Sequence, residues 1–534
     1  MLPLIAILLL CLTPLIMLII RLVRPGFAFI WLVAAAGTLL AYPLMLLSGI
    51  GIPKVIPLVT WQPETIFPAS PALRVDSLSW PYAIALTALA LAIILTAVVR
   101  QQQSSGLPWA GSLVLVMLGL FAVLAGNRLT LLLAWAALDL VELFILISQV
   151  HGPPLRQRVM VTFSIRAAGI LFLFWATILP ATDSPGLLFE NISPQANLLV
   201  LLAASLRLGI LPFHLPFPEG LPIRRGLGTA IYMASTAGSL VVLGRVASIA
   251  IPAPFTTILL ALAGLAALYG SLMWAIAGDE LNGRPFWTLG TSALSIAAAV
   301  RGQPAASLAW GLICLLPGSL LFLTSARHRY LQPLLLAGLL CASSLPFTPA
   351  WDAAQVYTPM KLSTLGPLFL LAQILLLAGY VRYAMQLIPS LEGVERWVWV
   401  VYPLGLLILP VNDILVSYWN KIPPASWRAD WPVSVWGWIG GPVTLGLAIL
   451  FWVWSQRSRR TSETFLRVWK FSLSLNWLNR LILTLYQSIH KLVDWITTIL
   501  EGEGGVLWAL VLLAILFTVL ANSFQELSSW ILTP

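Results

Sequence analysis

Charge is what this sequence has least of. Of 534 residues only 9% are Asp, Glu, Lys or Arg, while 60% are hydrophobic and the mean hydropathy is +0.94. A soluble domain is excluded, because folding in water needs a surface rich in charged groups. Cysteine is also scarce. Cys11, Cys314 and Cys341 all fall in apolar runs with no metal-site or disulfide spacing, so they read as small buried hydrophobes. The four histidines, His151, His214, His328 and His490, are scattered. No glycine-rich phosphate loop, haem motif or nucleophile constellation stands out. The sequence therefore carries no cofactor site, and any redox chemistry belongs to partner subunits. The net charge of +10 is read as basic cytoplasmic loops facing anionic lipid, not as a nucleic-acid surface.

What the sequence does have is apolar stretches of about 20 residues, long enough to cross the hydrocarbon core of a bilayer. They recur from end to end, which predicts an all-α polytopic membrane protein. Sixteen spans are expected, near 3–22, 28–50, 80–99, 108–126, 129–150, 158–179, 196–218, 227–249, 255–277, 286–300, 304–325, 331–357, 362–384, 396–411, 434–455 and 506–524. The first lacks a basic leader and a small-residue cleavage site, so it reads as a retained helix. Lys and Arg divide 20 to 8 between alternate sets of loops. Arg156, Arg158 and Arg166 count as one basic loop, and Arg207 is taken as the one basic side chain inside a span. The basic set is expected to be cytoplasmic, which puts both termini outside a bacterial plasma membrane. The sequon Asn191-Ile-Ser193 falls in an outer loop and reads as a chance match. Tryptophans near span ends, such as Trp80, Trp109, Trp397 and Trp436, read as interface anchors.

Residues 461–500 differ in character. Leu475, Leu478, Ile482, Leu485, Ile489, Leu492, Ile496 and Ile499 recur at steps of three and four, with Arg480, Gln487, Lys491 and Asp494 off the stripe. This pattern predicts a lateral amphipathic helix lying along lipid or neighbouring protein. Two spans carry internal prolines: Pro212 and Pro216 in the seventh, Pro346 and Pro349 in the twelfth. Proline removes a backbone donor and breaks a helix. Two broken helices five spans apart fit an inverted repeat of five helices, which in transporters points to an ion pathway. The expected organisation is N-terminal helices over 1–107, a first repeat over 108–250 and an inverted second repeat over 251–385. Extra transmembrane helices over 386–456, the lateral helix over 457–503 and an anchor helix over 504–534 complete it.

These segments resemble the antiporter-like membrane subunits of respiratory complex I, shared with multi-subunit Na⁺/H⁺ antiporters and membrane-bound hydrogenases. The likeness is strongest to the distal subunit with its lateral helix. "LRVDSLSWPYAIALTAL" (73–89), "GNRLTLLLAWAALDLVE" (126–142), "RLGILPFHLPFPEG" (207–220), "AIAGDELNGRPFWTLGTSALS" (275–295), "LLPGSLLFLTSA" (315–326) and "SLPFTPAW" (344–351) follow in the family's order. The resemblance implies a membrane-arm subunit of a quinone oxidoreductase or related ion-translocating complex, partnered by other membrane subunits and the lipid bilayer.

The relay positions depart from the family pattern. The family's Glu after the fifth-helix Trp falls on Ala136, with Asp139 and Glu142 one and two turns further on. Its seventh-helix Lys falls on Arg207, its eighth-helix Lys or His near Ile231 and Tyr232, its central Lys on Gly318, and its twelfth-helix Lys or Glu near Asp352. The five lysines, Lys54, Lys361, Lys421, Lys470 and Lys491, all fall in loops or the lateral helix. Asp139 and/or Glu142 are expected to pair with Arg207, either as a variant of a gating Glu–Lys pair or as a static buried ion pair. Arginine favours the static reading, because it keeps its proton where a desolvated lysine gives it up. His214 and Asp352 are candidate proton carriers, with a helix-break histidine and a helix cap as their plainer readings. Tyr232 reads as core, and Asp279, Glu280 and Arg284 as a solvated loop. The expectation is a subunit with a degenerate proton pathway, a scaffold or a weak conductor through Asp139, Glu142, His214 and Asp352. The alternative is a polytopic glycosyltransferase using lipid-linked sugars, with Glu64 and Asp76 as its outer-loop acids.

Overall fold

The structure, a computed structural model, describes residues 1–24, 27, 29–61, 69–99, 106–150, 152–179, 187–189, 192–210, 214–215, 223–326, 328–357, 365–386, 395–420, 435–457 and scattered positions between 483 and 511. The chain falls into two compact units, Met1–Ser472 and Leu473–Pro534. In the second unit the described positions are helical, with the Ser488 and Thr498 hydroxyls donating to carbonyls one turn back. Most of the expected lateral helix and the last span lie outside the described residues, as do Asn191, Glu64, Pro212 and Pro216.

The first unit holds fifteen α-helices among its described residues, overlapping the first fifteen expected spans. They are α1 (Leu2–Val23), α2 (Ile30–Leu47), α3 (Ser79–Thr96), α4 (Leu107–Val123), α5 (Arg128–Gln149), α6 (Pro153–Ile178), α7 (Pro194–Arg207) and α8 (Arg225–Val246). Then come α9 (Ala253–Ile276), α10 (Glu280–Val300), α11 (Pro304–Leu323), α12 (Gln332–Ala342), α13 (Gly366–Ala384), α14 (Val398–Asn420) and α15 (Val435–Arg457). A hairpin of β1 (Lys54–Pro57) and β2 (Ala72–Val75) closes the loop between α2 and α3. Ten of the helices, α1–α3, α5, α6, α8, α9, α11, α13 and α14, are long and apolar enough to cross a membrane. The chain is an integral membrane protein.

Helix starts follow local chemistry. The Asn127 side chain accepts the Thr130 amide at 2.8 Å and opens α5. Ser193 accepts the Ala196 amide at 3.2 Å ahead of Pro194, and Asp279 accepts the Asn282 amide at 2.7 Å. Each replaces a partner that the first turn of a helix lacks. Pro153, Pro194 and Pro304 stand at the first helical position, where no amide hydrogen is needed.

The two short helices end in related ways. α7 has 14 residues, about 21 Å of rise, and α12 has 11, about 16 Å. Neither rise reaches across about 30 Å of hydrocarbon. After α7, Gly209 sits at φ +80°. The Gly209 amide donates to Leu206 O at 3.2 Å and the Ile210 amide to Ser205 O at 2.9 Å, the paired bonds of a left-handed helix stop. The glycine ends this helix ahead of either proline. After α12, Ser344 (φ +51°) takes the same left-handed conformation and Phe347 (φ +65°) follows. Pro346 and Pro349 lie within this second break. Its freed carbonyls are met by protein: Tyr418 donates to Phe347 O at 3.0 Å and Ser417 to Pro349 O at 3.5 Å. Non-helical backbone at membrane depth survives only when satisfied in this way or by water.

Four expectations change. α14 runs through Asn412 and Asp413 to Asn420 instead of stopping at 411, because the apolar pattern resumes in "ILVSYW" after the acid. α10 starts at Glu280, so Glu280 and Arg284 are buried at 3% and 4% exposure; only Asp279 stays at the surface, as the cap. Trp80 and Trp109 are core residues, whereas Trp397 is 40% exposed. Cys11 lies on the outer face of α1, while Cys314 and Cys341 are buried.

Candidate functional site

Four helices meet around two carboxylates. Trp135, Asp139 and Glu142 fall at steps of four and three along α5 and so share one face. All three are buried, at 0%, 2% and 3% exposure. α7 brings Arg207 from its last turn, where the helix dipole favours a cation. Its Nη2 donates to Asp139 Oδ1 at 2.8 Å, and its Nη1 also bonds Asp139 Oδ2. The guanidinium carbon lies 4.4 Å from the Trp135 ring centroid, a cation–π contact.

The second cation is Arg166, from the middle of α6, and this corrects its assignment to a loop. Arg166 is buried. Its Nη2 donates to Asp139 Oδ1 and its Nη1 to Glu142 Oε1, both at 2.5 Å. Arg166 also bonds Ser235, and Arg207 Nε donates to Ser239 Oγ at 3.4 Å, so α8 contributes two hydroxyls one turn apart. Glu142 thus pairs with Arg166, and Asp139 is shared by two guanidinium groups. The sequence did carry a signal for this, since Arg166 falls inside the expected span 158–179, where a buried basic residue demands a partner.

The four charges sum to zero, and packing closes on them. Gly169, one turn beyond Arg166, lets α6 approach α7: a Cβ there would lie 3.0 Å from both Ala203 O and Arg207 Cγ. The cavity beside the cluster has a volume of about 10 Å³, at the lower limit for a single water.

His214 is buried just beyond the α7 break, its amide donating to Gly209 O at 3.0 Å. Asp352 is half-buried in the short 3₁₀ helix Trp351–Tyr357 after the α12 break. Tyr232 is buried in α8, 5.8 Å from the Arg284 guanidinium carbon. Asp76 lies just ahead of α3, accepting the Ser79 amide at 2.7 Å and bridging Arg74 at 3.2 Å. Burial pushes its carboxyl up, but Arg245, the Ser79 bonds and Arg74 outweigh burial and hold it below the ordinary aspartate value. The sequence reading also missed Asp413, 2% exposed in α14, whose carboxylate faces the Cys341 thiol at the end of α12.

In the second half the central position is filled. A Cβ on Gly318 would lie 2.3 Å from Trp287 Nε1. That indole donates to Cys314 O at 3.1 Å and belongs to a buried aromatic cluster. Trp274 lies 5.3 Å from Trp287 and 4.7 Å from Tyr383, and Tyr380 lies 5.9 Å from Trp287. Along α10 the hydroxyls of Thr288 and Thr291 bond carbonyls of their own helix.

No protein-family model matches the sequence, and no curated protein matches it significantly. Solved structures do match. The chain superposes on a chain of the Mrp complex from Dietzia sp. DQ12-45-1b with a TM-score of 0.71 and 15% identity, covering 98% of this chain and 62% of that one. It thus spans less than two thirds of that longer chain. It also superposes on a chain of the membrane-bound sulfane sulfur reductase, an archaeal respiratory membrane complex (TM-score 0.66, 14% identity, 96% of this chain and 99% of that one). A chain of respiratory complex I from Thermus thermophilus matches as well (TM-score 0.59, 17% identity, 84% and 99%). The resemblance to antiporter-like membrane subunits is borne out at the level of the fold.

Proposed function

We propose that this protein is a membrane-arm subunit of a multi-subunit, ion-translocating complex of the complex I type, and that its own proton path is closed, so that it acts as a scaffold. The observation that carries the proposal is Asp139, held between Arg166 and Arg207. A relay needs a base that gives up its proton, and two arginines do not supply one. The Trp287 indole against Gly318 supports the same reading for the second half.

The organisation proposed is an inverted pair of five-helix repeats, α4–α8 and α9–α13. In each the first helix packs on the fifth (α4 on α8, α9 on α13) and the fourth is the short, broken one. The lateral helix over 457–503, the anchor over 504–534, and both termini outside a bacterial plasma membrane belong to the same proposal. Purification in mild detergent through a C-terminal tag, followed by mass spectrometry, tests the partnership. Co-purification of quinone-reductase-like or hydrogenase-like membrane subunits is expected. Recovery of a stable, lone protein from native membranes would contradict it.

A further inference from the structure

At one end of the helix bundle a cavity of about 180 Å³ opens where α3 and α11 end and α4 and α8 begin. Its walls are of two kinds. Ile93, Leu227, Leu323 and Trp109 make an apolar side, and Arg224 and Arg225 make a cationic one. Arg224 is exposed and stands at the N-cap of α8 without capping it through its side chain.

Among the described residues the charge around this cavity is unbalanced. Arg225 Nη1 donates to Glu280 Oε1 at 2.9 Å and to the carbonyls of Phe322 at 3.0 Å and Thr324 at 2.7 Å. Its Nε is buried without a hydrogen-bond partner among the described residues. Behind it lies Arg284, 4% exposed. Arg284 faces the Tyr232 and Phe322 rings at 5.8 and 5.9 Å and donates to Arg225 O at 3.5 Å, and its Nε too lacks a partner. Among the described residues, the guanidinium groups of Arg225 and Arg284 share one buried carboxylate, Glu280, with the exposed Arg224 beside them on the cavity wall, while the Asp279 carboxylate is exposed and bonded to Asn282. Buried cations need counter-charge, and arginine does not escape the cost by losing its proton.

We propose that this cavity binds an anionic phospholipid. The phosphate sits against Arg224 and Arg225 and supplies the missing negative charge, and an acyl chain lies along Ile93, Leu227 and Leu323. A phospholipid suits both walls at once, where a soluble anion suits only one. The site lies at the ends of membrane helices, at the depth where headgroups meet hydrocarbon. The proposal stands whether or not the subunit conducts ions.

The test is native mass spectrometry of the purified full-length protein offered equal amounts of phosphatidylglycerol and phosphatidylcholine. Preferential retention of phosphatidylglycerol is expected. Arg224→Gln should lower that retention about fivefold, the worth of one basic side chain near a lipid surface, and leave phosphatidylcholine unchanged. Arg224 is exposed, so the variant should fold. Arg158→Gln, at another exposed arginine, serves as the control and should leave both lipids unchanged. Equal retention of the two lipids, an equal loss in both variants, or inorganic phosphate displacing phosphatidylglycerol completely would overturn the assignment.

Discussion

Asp139→Asn is expected to destabilise the protein by about 3–5 kcal/mol, the cost of breaking a buried ion pair from one side. Asp139 accepts from Arg166 Nη2 and from both terminal nitrogens of Arg207. Neutralising it leaves two buried guanidinium groups facing Glu142 alone, in a site with room for about one water to screen them. Asparagine keeps the shape but not the charge, so the loss reports electrostatics and not a cavity. Pairing Asp139→Asn with Arg207→Gln restores neutrality and should recover a sizeable part of the loss, giving a strongly non-additive cycle. Thermal or denaturant unfolding in mild detergent measures both variants. An Asp139→Asn protein as stable as the wild type would mean that the cluster does not hold the helices together.

The second large effect is expected at Gly318. An added Cβ would lie 2.3 Å from Trp287 Nε1, and the indole is held by its bond to Cys314 O and by the rings of Trp274 and Tyr380. Overpacking of this kind costs about 1–3 kcal/mol and occasionally more. Gly318→Ala should therefore lower stability into that range, and Gly318→Lys should prevent accumulation in the membrane. Trp287→Phe removes the colliding nitrogen, so Gly318→Ala should cost less in that background than in the wild type. The unfolding midpoints of the four proteins in this cycle decide the matter. Equal costs of Gly318→Ala in both backgrounds would show that Trp287 is not what occupies the position.

Much of the fold was legible in the sequence because membrane helices announce themselves by length and hydropathy. The prolines also mark the seventh and twelfth spans as broken, although it is Gly209 that ends α7, before the prolines are reached, and the shortness of α7 and α12 is not legible in spans of 196–218 and 331–357. The site was legible in part. Asp139, Glu142 and Arg207 were found because charges in apolar runs are conspicuous. Arg166 was lost by counting it with Arg156 and Arg158 as one basic loop, although it lies in mid-helix. Asp413 was lost because a polar pair, Asn412-Asp413, looked like the end of a span. Glu280 and Arg284 were misread for a similar reason, since a polar helix start resembles a loop until the capping Asp279 is placed. Interhelical partners such as Trp287 against Gly318 were out of reach. They lie on different helices, and nothing in their spacing relates them.

We propose that a static charge cluster closes the chain's own proton path. The most direct measurement reconstitutes the purified subunit alone into liposomes and follows the decay of an imposed pH gradient, with Asp139→Asn alongside. Decay no faster than in protein-free liposomes is predicted for the wild type. Rapid decay that Asp139→Asn abolishes, in a variant shown to be folded, would contradict the account and make Asp139 part of a working relay.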